Sequence, residues 1–202
     1  MENKETILLP PATDRQKRSK VAFAGLALTG GLAVGLTVIT GSFIRPALRR
    51  ICLPYVPATQ KQITNVLKVC RTKGQGTLVD LGSGDGRIVH AAARNGFTAT
   101  GYELNTWLVL YSKLYSRFNG INDRTVFERR DLWKVDLGRF DNIVIFGVAD
   151  MMEELSDKLE KEMSEDACVV ACRFPIENWK PTEVIDDGID SVWLYNKPNI
   201  SS

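Results

Sequence analysis

The chain carries one histidine, His90, and four cysteines, Cys52, Cys70, Cys168 and Cys172, none of them in a C-x-x-C pair. A zinc centre of the usual ligand spacing therefore has no ligand set, and no metal is expected. Four thiols scattered over 202 residues do not read as a disulfide framework; they suit buried free thiols in a reducing compartment. Excess charge of one sign is also missing. With 26 basic and 24 acidic residues the net charge is +2, so a nucleic-acid footprint would have to be local. No basic stripe interleaved with aromatics appears after residue 50, and nucleic acid is not expected as a partner. Repeats and low-complexity tracts are absent as well. What remains is a composition of 44% apolar and 25% charged residues, that of a globular protein, at a length suited to one domain with an appendage.

Charge is distributed unevenly. Residues 1–20 are polar, contain Pro10-Pro11 and mix Glu2, Glu5 and Asp14 with basic residues, unlike an acid-poor cleavable presequence. From Val21 to Ile44 no residue is charged, while Arg15, Lys17, Arg18 and Lys20 precede the run and Arg45, Arg49 and Arg50 follow it. A helix of that length, at ~1.5 Å per residue, covers a hydrocarbon core of ~30 Å. It is apolar all round, unlike an amphipathic surface helix. The expectation is a single-pass membrane anchor over 21–44 that doubles as a targeting segment, with a buried hairpin or a long targeting segment as the alternatives; its orientation is undecided because the flanking charges nearly balance. Residues 45–76 form a linker and helix, and 77–202 the main domain.

In that domain apolar strands alternate with helical patterns. TLVDL (77–81), TATGYE (98–103), RTVFER (124–129), NIVIFGV (142–148) and ACVVACRF (167–174) read as strands. RIVHAAARNG, NTWLVLYSKLYSRFNG and MMEELSDKLEKEM read as helices, Asn105 as an N-cap and Gly120 as a stop. TEVID and SVWLY make a closing hairpin-like pair. This alternation predicts an α/β fold, a doubly wound and mostly parallel sheet.

The loop after the first strand, Asp80-Leu81-Gly82-Ser83-Gly84-Asp85-Gly86, sits where such sheets bind ligands. Its glycines allow a tight turn, and the following helix presents unpaired N–H groups. A dinucleotide fingerprint counted from Gly82 needs glycine at 87, where Arg87 stands, and a phosphate loop ending in G-K-[ST] is absent. The D-x-G-x-G-x-G register instead resembles motif I of the seven-β-strand methyltransferases that use S-adenosylmethionine, a Rossmann-like fold. That resemblance implies a ribose-binding acid at the end of the second strand, which Glu103 in GYELN supplies. It also implies an acid after the third strand to accept from the adenine amino group, which Asp131 in RRDLW supplies, with Leu132 and Trp133 on the adenine face. Asp80 would order the loop and the methionine end. As alternatives, Asp131 is a helix cap or turn residue and Trp133 a core residue.

The stretches CLPYVPATQKQI, VDLGSGDGRIV, GYELNTWLV, DLWKVDL, NIVIFGVADMM, ACRFP and GIDSVWLY resemble the membrane-anchored mitochondrial protein-lysine methyltransferases. One member acts on the c subunit of ATP synthase, and a paralogue on the adenine nucleotide translocase. The resemblance implies a single-pass protein of the mitochondrial inner membrane that methylates a lysine of a membrane protein, the FGV..MM wording favouring the ATP synthase protein. A translocase-directed enzyme, a non-catalytic cofactor-binding assembly factor and a membrane-attached small-molecule methyltransferase are the alternatives. FGVAD at 146–150 lacks the [DN]-P-P-[YFW] sequence common in enzymes that methylate amide or ring-attached nitrogens. Tyr55, Phe146 and Phe174 are candidates to line an acceptor channel, with core packing as the alternative for each. Asp150 is a candidate to take up a proton or orient the amine, with N-capping of the MMEELSDKLEKEM helix as its alternative. Arg173 could meet an acidic group.

Overall fold

The computed structural model describes residues 23, 25–37, 40, 56–70 and 76–197. Two units result, residues 1–41 and 42–202. In the first, residues 25–37 form helix α1, with exposed side chains. Thr29, Thr37 and Thr40 each return their hydroxyl to the carbonyl four residues back, at 2.9, 2.9 and 2.6 Å. Among the described residues no helix is long and apolar enough to cross a membrane. Residues 21, 22, 24, 38, 39 and 41–44 of the expected span lie outside the described residues, as do residues 1–20.

The second unit alternates α2 (Gln60–Val69), β1 (Thr77–Leu81), α3 (Arg87–Arg94), β2 (Thr98–Glu103), α4 (Thr106–Phe118), β3 (Thr125–Arg129), β4 (Asn142–Phe146), α5 (Ala149–Glu162), β5 (Cys168–Cys172), β6 (Glu183–Ile185) and β7 (Val192–Asn196). The seven strands form one sheet in the order β3-β2-β1-β4-β5-β7-β6. The pairings from β3 to β5 are parallel, whereas β7 runs antiparallel to both β5 and β6. Strand β7 takes the interior position because VWLYN is the better buried of the last two strands, with Val192, Leu194 and Tyr195 in the core, while β6 is largely exposed. An apolar strand gains most where both faces are covered.

Period-two alternation sorts the side chains into two cores. Val79, Leu81, Ile143, Ile145, Val169 and Ala171 pack with Met151, Met152, Leu155 and Leu159 of α5. Leu78, Val144, Val170 and Cys172 point to the other face, against Val66 and Val69 of α2, Val89 of α3 and Val109 of α4. Cys70, Cys168 and Cys172 are buried and form no disulfide. The sheet thus places the carboxyl ends of β1 and β4 side by side at its centre, with crossovers leaving in opposite directions: β1 leads to β2 and β4 to β5. That divergence opens the crevice in which such folds bind ligands.

Candidate active site

The loop leaving β1 is folded back over β2. The N–H groups of Gly82 and Ser83 both donate to the Tyr102 carbonyl, at 2.9 and 3.0 Å, and Gly86 N–H donates to the Ser83 carbonyl at 2.8 Å. This path needs positive φ at Gly82 (83°), Gly84 (54°) and Gly86 (77°), conformations that side chains resist. Space is short as well. A Cβ at Gly86 would stand 2.7 Å from the Phe127 ring, and one at Gly101 would stand 2.6 Å from Ser83 Oγ. Gly86 is also the N-cap of α3 and supplies no capping side chain, so the helix begins without a side-chain acceptor from its cap residue.

Glu103 ends β2 and reaches across this loop. Its Oε2 accepts from Gly84 N–H at 3.0 Å and its Oε1 from Asn105 N–H at 2.8 Å. A carboxylate keeps further lone pairs after two such bonds, so it can still accept from a vicinal diol. Asn105 in turn caps α4, accepting from Trp107 N–H at 3.0 Å. The end of β3 is drawn to the same edge, because Arg130 N–H donates to the Glu103 carbonyl at 3.2 Å. Asp131 follows and accepts from Trp133 N–H at 3.3 Å as the cap of a short 3-10 turn, Leu132–Lys134. The capping role of Asp131 is thus the one the structure shows. Leu132 is buried, and Trp133 is half-buried against the core on the α5 face.

Asp80 lies beneath the loop, buried, with Oδ1 lacking any hydrogen-bond partner. Burial, then the neighbouring charges of Glu103 and Asp85, push its carboxyl up to about 8. Ser83 Oγ is likewise buried without a partner. Two buried polar atoms without protein partners, at a strand end in a crevice, offer hydrogen-bonding groups suited to a polar ligand. Asp85 itself is committed elsewhere: it grips Arg87, whose Nε lies 2.9 Å from Asp85 Oδ1, while Arg87 Nη1 donates to the Ala58 carbonyl at 2.6 Å. This clasp ties the segment before α2 to the glycine loop. His90 is a core residue, its ring between Tyr115 and Phe127 and its Nε2 3.2 Å from the Ser112 carbonyl; burial holds its pKa below the ordinary value.

Beyond β4 the ring of Phe146 is half-buried against the α3-face core, with the Arg173 guanidinium 5.0 Å from its centroid. Arg173 has φ 69° and a buried Nε with no hydrogen-bond partner, a strained placement for a side chain of this size. Phe174 is 38% exposed. Asp150 does not cap α5; Val148 holds that position, and Asp150 lies exposed in the first helical turn. The helix begins two residues earlier than its charge pattern suggests, because Val148 is already extended and Ala149 helical. Tyr55 lies outside the described residues.

The structure therefore gathers Asp80, Gly82, Ser83, Gly84, Asp85, Gly86, Glu103, Asp131 and Leu132 along the carboxyl ends of β1, β2 and β3, and Phe146 with Arg173 along those of β4 and β5. Gly101, Arg87 and the Ala58 carbonyl belong to the same construction and were not singled out from sequence. For Gly101 a signal existed, since a glycine inside a strand marks close approach. The glycine loop, the Glu103 carboxylate with lone pairs to spare and the orphaned Asp80 fit S-adenosylmethionine, which brings a ribose and an ammonium to one crevice.

Comparison with known proteins agrees with this geometry. A family profile described as "ANTKMT methyltransferase domain" matches residues 80–183, and one for the N-terminal domain of the ATP synthase C-subunit lysine N-methyltransferases matches residues 18–49. The ATP synthase C-subunit lysine N-methyltransferase of Homo sapiens is 51% identical over 180 residues, covering 89% of this chain and 77% of that protein. The Xenopus laevis protein of the same name is 49% identical over 185 residues, covering 92% and 81%. The adenine nucleotide translocase lysine N-methyltransferase of Mus musculus is 40% identical over 198 residues, covering 93% and 85%. Among solved structures, an RNA methyltransferase from Salinibacter ruber in complex with S-adenosyl-L-homocysteine aligns with a TM-score of 0.68 at 27% identity, covering 71% of this chain and 95% of that one.

Proposed function

Because the chain belongs to the family of ATP synthase C-subunit lysine N-methyltransferases, we propose that it methylates a lysine of that ATP synthase protein at the membrane. It is an S-adenosylmethionine-dependent protein-lysine methyltransferase. The substrate reading is supported above all by 51% identity to the human enzyme across 89% of the chain. When bound, S-adenosylmethionine supplies an electrophilic methyl group on a positively charged sulfur.

The residues divide the remaining work. Glu103 accepts from the ribose hydroxyls, and its bond to Gly84 N–H sets the height of the loop beneath them. The backbone of Gly82 to Gly86 carries the methionine end, with Asp80 below to meet its ammonium. Asp131 accepts from the adenine amino group while Leu132 and Trp133 cover the ring. Phe146 and Phe174 line the acceptor side, with Tyr55 assigned there by sequence alone. A lysine amine with a free pKa of ~10.4 must be neutral to attack, which costs on the order of 5 kcal/mol near pH 7 at ~1.4 kcal/mol per unit. An apolar channel beside a positive sulfur and the Arg173 guanidinium lowers that cost by disfavouring the ammonium. No strong base is then required, which accords with the exposed position of Asp150. In-line positioning contributes several kcal/mol more.

The mitochondrial inner membrane and a single-pass anchor over 21–44 complete the reading. Support comes from the charge-free run between basic flanks, the match of residues 18–49 to the relatives' N-terminal domain, and threonine hydroxyls satisfied inside α1, as hydrocarbon demands. Anchoring would raise the effective concentration of membrane-embedded substrate. The test is methyl transfer from labelled S-adenosylmethionine to inner membranes of cells lacking the protein, followed by mass spectrometry of the labelled polypeptide. Label on the ATP synthase c subunit is expected. Label on the translocase instead would select the second reading, which the description of the profile over 80–183 favours. Label on neither would overturn the substrate assignment.

A further inference from the structure

Helix α4 is built inside out. Its buried face holds Val109, Ser112 and Ser116. Its outward face holds Trp107 (38% exposed), Leu110 (45%), Tyr111 (53%), Leu114 (45%) and Phe118 (84%). At ~100° per residue these five positions fall within an arc of roughly 100°, one continuous stripe along the helix. Scattered exposed leucines need no explanation, but a contiguous apolar patch of this kind marks an interaction surface.

The borders of the stripe are basic. Lys113 and Arg117 flank one side, both exposed. On the other side Arg94 donates to the Tyr115 hydroxyl at 3.1 Å and lies over that ring. The sequence of α4, TWLVLYSKLYSRF, contains no acid. An open groove of about 460 Å³ beside the stripe is lined by Lys113, Leu114, Arg117, Val126 and Glu128 among others; Glu128, the one acid of that lining, is paired with Arg130 at 3.1 Å.

We propose that α4 docks on an anionic bilayer surface, its Leu110-Tyr111-Leu114-Phe118 stripe sunk below the headgroups and Lys113, Arg117 and Arg94 on the lipid phosphates. A basic-rimmed helix carrying Trp, Leu and Phe on one face is the chemistry of interfacial helices, and each basic residue near an anionic leaflet adds to the attraction. A second copy of the chain fits less well, because a two-fold contact through this face would set Lys113 and Arg117 against their own equivalents. The inference goes beyond the choice of methyl acceptor and uses from the reading above only the presence of a bilayer. Its mechanical consequence is orientation: Asn105 caps α4 and is bonded to Glu103, so a docked α4 holds the cofactor edge of the sheet at a fixed height beside the membrane surface.

The test uses the full chain with Cys52→Ser, a nitroxide on Leu114→Cys and, separately, on the exposed Glu153→Cys of α5. Each is reconstituted in vesicles of phosphatidylcholine with about one-quarter phosphatidylserine. At residue 114 the ratio of relaxation by oxygen to relaxation by a chelated nickel is expected to exceed that at 153 several-fold, as for a site below the headgroups. The pair Lys113→Glu and Arg117→Glu should collapse that ratio to the value at 153. Equal ratios at the two sites overturn the proposal while flotation of the same vesicles after alkaline carbonate still upholds the anchor. Chains that float only with anionic lipid and are stripped by carbonate would uphold the docking and remove the anchor. Shielding of residue 114 from both relaxants, with a doubled mass in sedimentation, would assign the stripe to a second copy and overturn the proposal.

Discussion

Replacement of Asp80 by asparagine should make the cofactor-free protein more stable and the enzyme worse. The carboxyl is pushed up to about 8 from 3.8, chiefly by burial. Between those values the folded protein keeps a proton that the unfolded chain has already released, so stability falls as pH rises across the interval. At ~1.4 kcal/mol per pH unit the full interval costs the fold on the order of 5 kcal/mol by pH 8. Asparagine has nearly the same shape and never ionises. It leaves the same buried oxygen unpaired and adds an amide to satisfy, which returns ~1–3 kcal/mol of the gain. A net stabilisation of about 2–4 kcal/mol at pH 8.5 remains, or roughly 5–15 °C in Tm at this chain length. At pH 4.5 the folded carboxyl is neutral, the ionisation gain shrinks to about 1 kcal/mol and the amide cost offsets it, so Asp80→Asn should be no more stable than wild type. Thermal unfolding of the full chain at the two pH values, without cofactor, reads this directly. Calorimetry should show wild-type affinity for S-adenosylmethionine rising from pH 6 to pH 8, as the ligand ammonium favours the ionised form, and Asp80→Asn weaker and flat with pH. Equal pH dependence of stability in the two proteins, or a variant less stable at pH 8.5, would refute the assignment of Asp80 as a strained, ligand-awaiting carboxylate.

Glu103→Ala removes the acceptor of two loop N–H groups and should weaken S-adenosylmethionine at least ~100-fold in calorimetry, at two charged hydrogen bonds of ~1.5–3 kcal/mol each. Gly101→Ala inserts a methyl 2.6 Å from Ser83 Oγ and 2.8 Å from Phe127; overpacking should lower stability by ~1–3 kcal/mol and abolish cofactor binding, read by denaturant titration and calorimetry. Arg87→Ala releases the Ala58 carbonyl and Asp85, so cofactor affinity should fall about tenfold, worth ~1.4 kcal/mol, with kcat largely kept. Asp150→Asn, at an exposed position, should leave the transfer rate within about twofold and cost at most ~1 kcal/mol of helix stability.

The backbone was more legible than the geometry it supports. TLVDL and TATGYE are strands over the expected residues, and Asn105 caps α4 as its side-chain chemistry suggests. These are local matters, decided by apolar runs, glycines and an amide oxygen. The closing pair was also legible as a hairpin, but its order in the sheet was not, because β7 joins β5 across the chain for reasons of burial alone. Similarly, nothing in ACRFP announces that Arg173 adopts a left-handed φ over Phe146; that conformation is imposed by the β7 side, where its N–H donates to the Ser191 carbonyl at 3.2 Å. Asp80 stands between the two cases. Its place in the glycine register marks it from sequence, whereas its lack of a partner and its raised pKa follow from burial under a loop that only the fold assembles.

Helix α4 shows why pattern alone can mislead about function. NTWLVLYSKLYSRFNG announces a helix, but apolar residues occur on all sides of it, so the sequence does not say which face is the core. A reading by size would bury Trp107, Leu110, Leu114 and Phe118 and expose the serines. The fold does the reverse, because α4 must lie close to β2 and β3, where His90 and Phe127 already fill the layer and leave room only for Val109, Ser112 and Ser116. A globular protein in water gains nothing from turning its largest side chains outward; at ~25 cal/mol per Å² their exposure forgoes several kcal/mol. The arrangement makes physical sense if that face is meant to leave water, and the basic residues beside it specify where it goes.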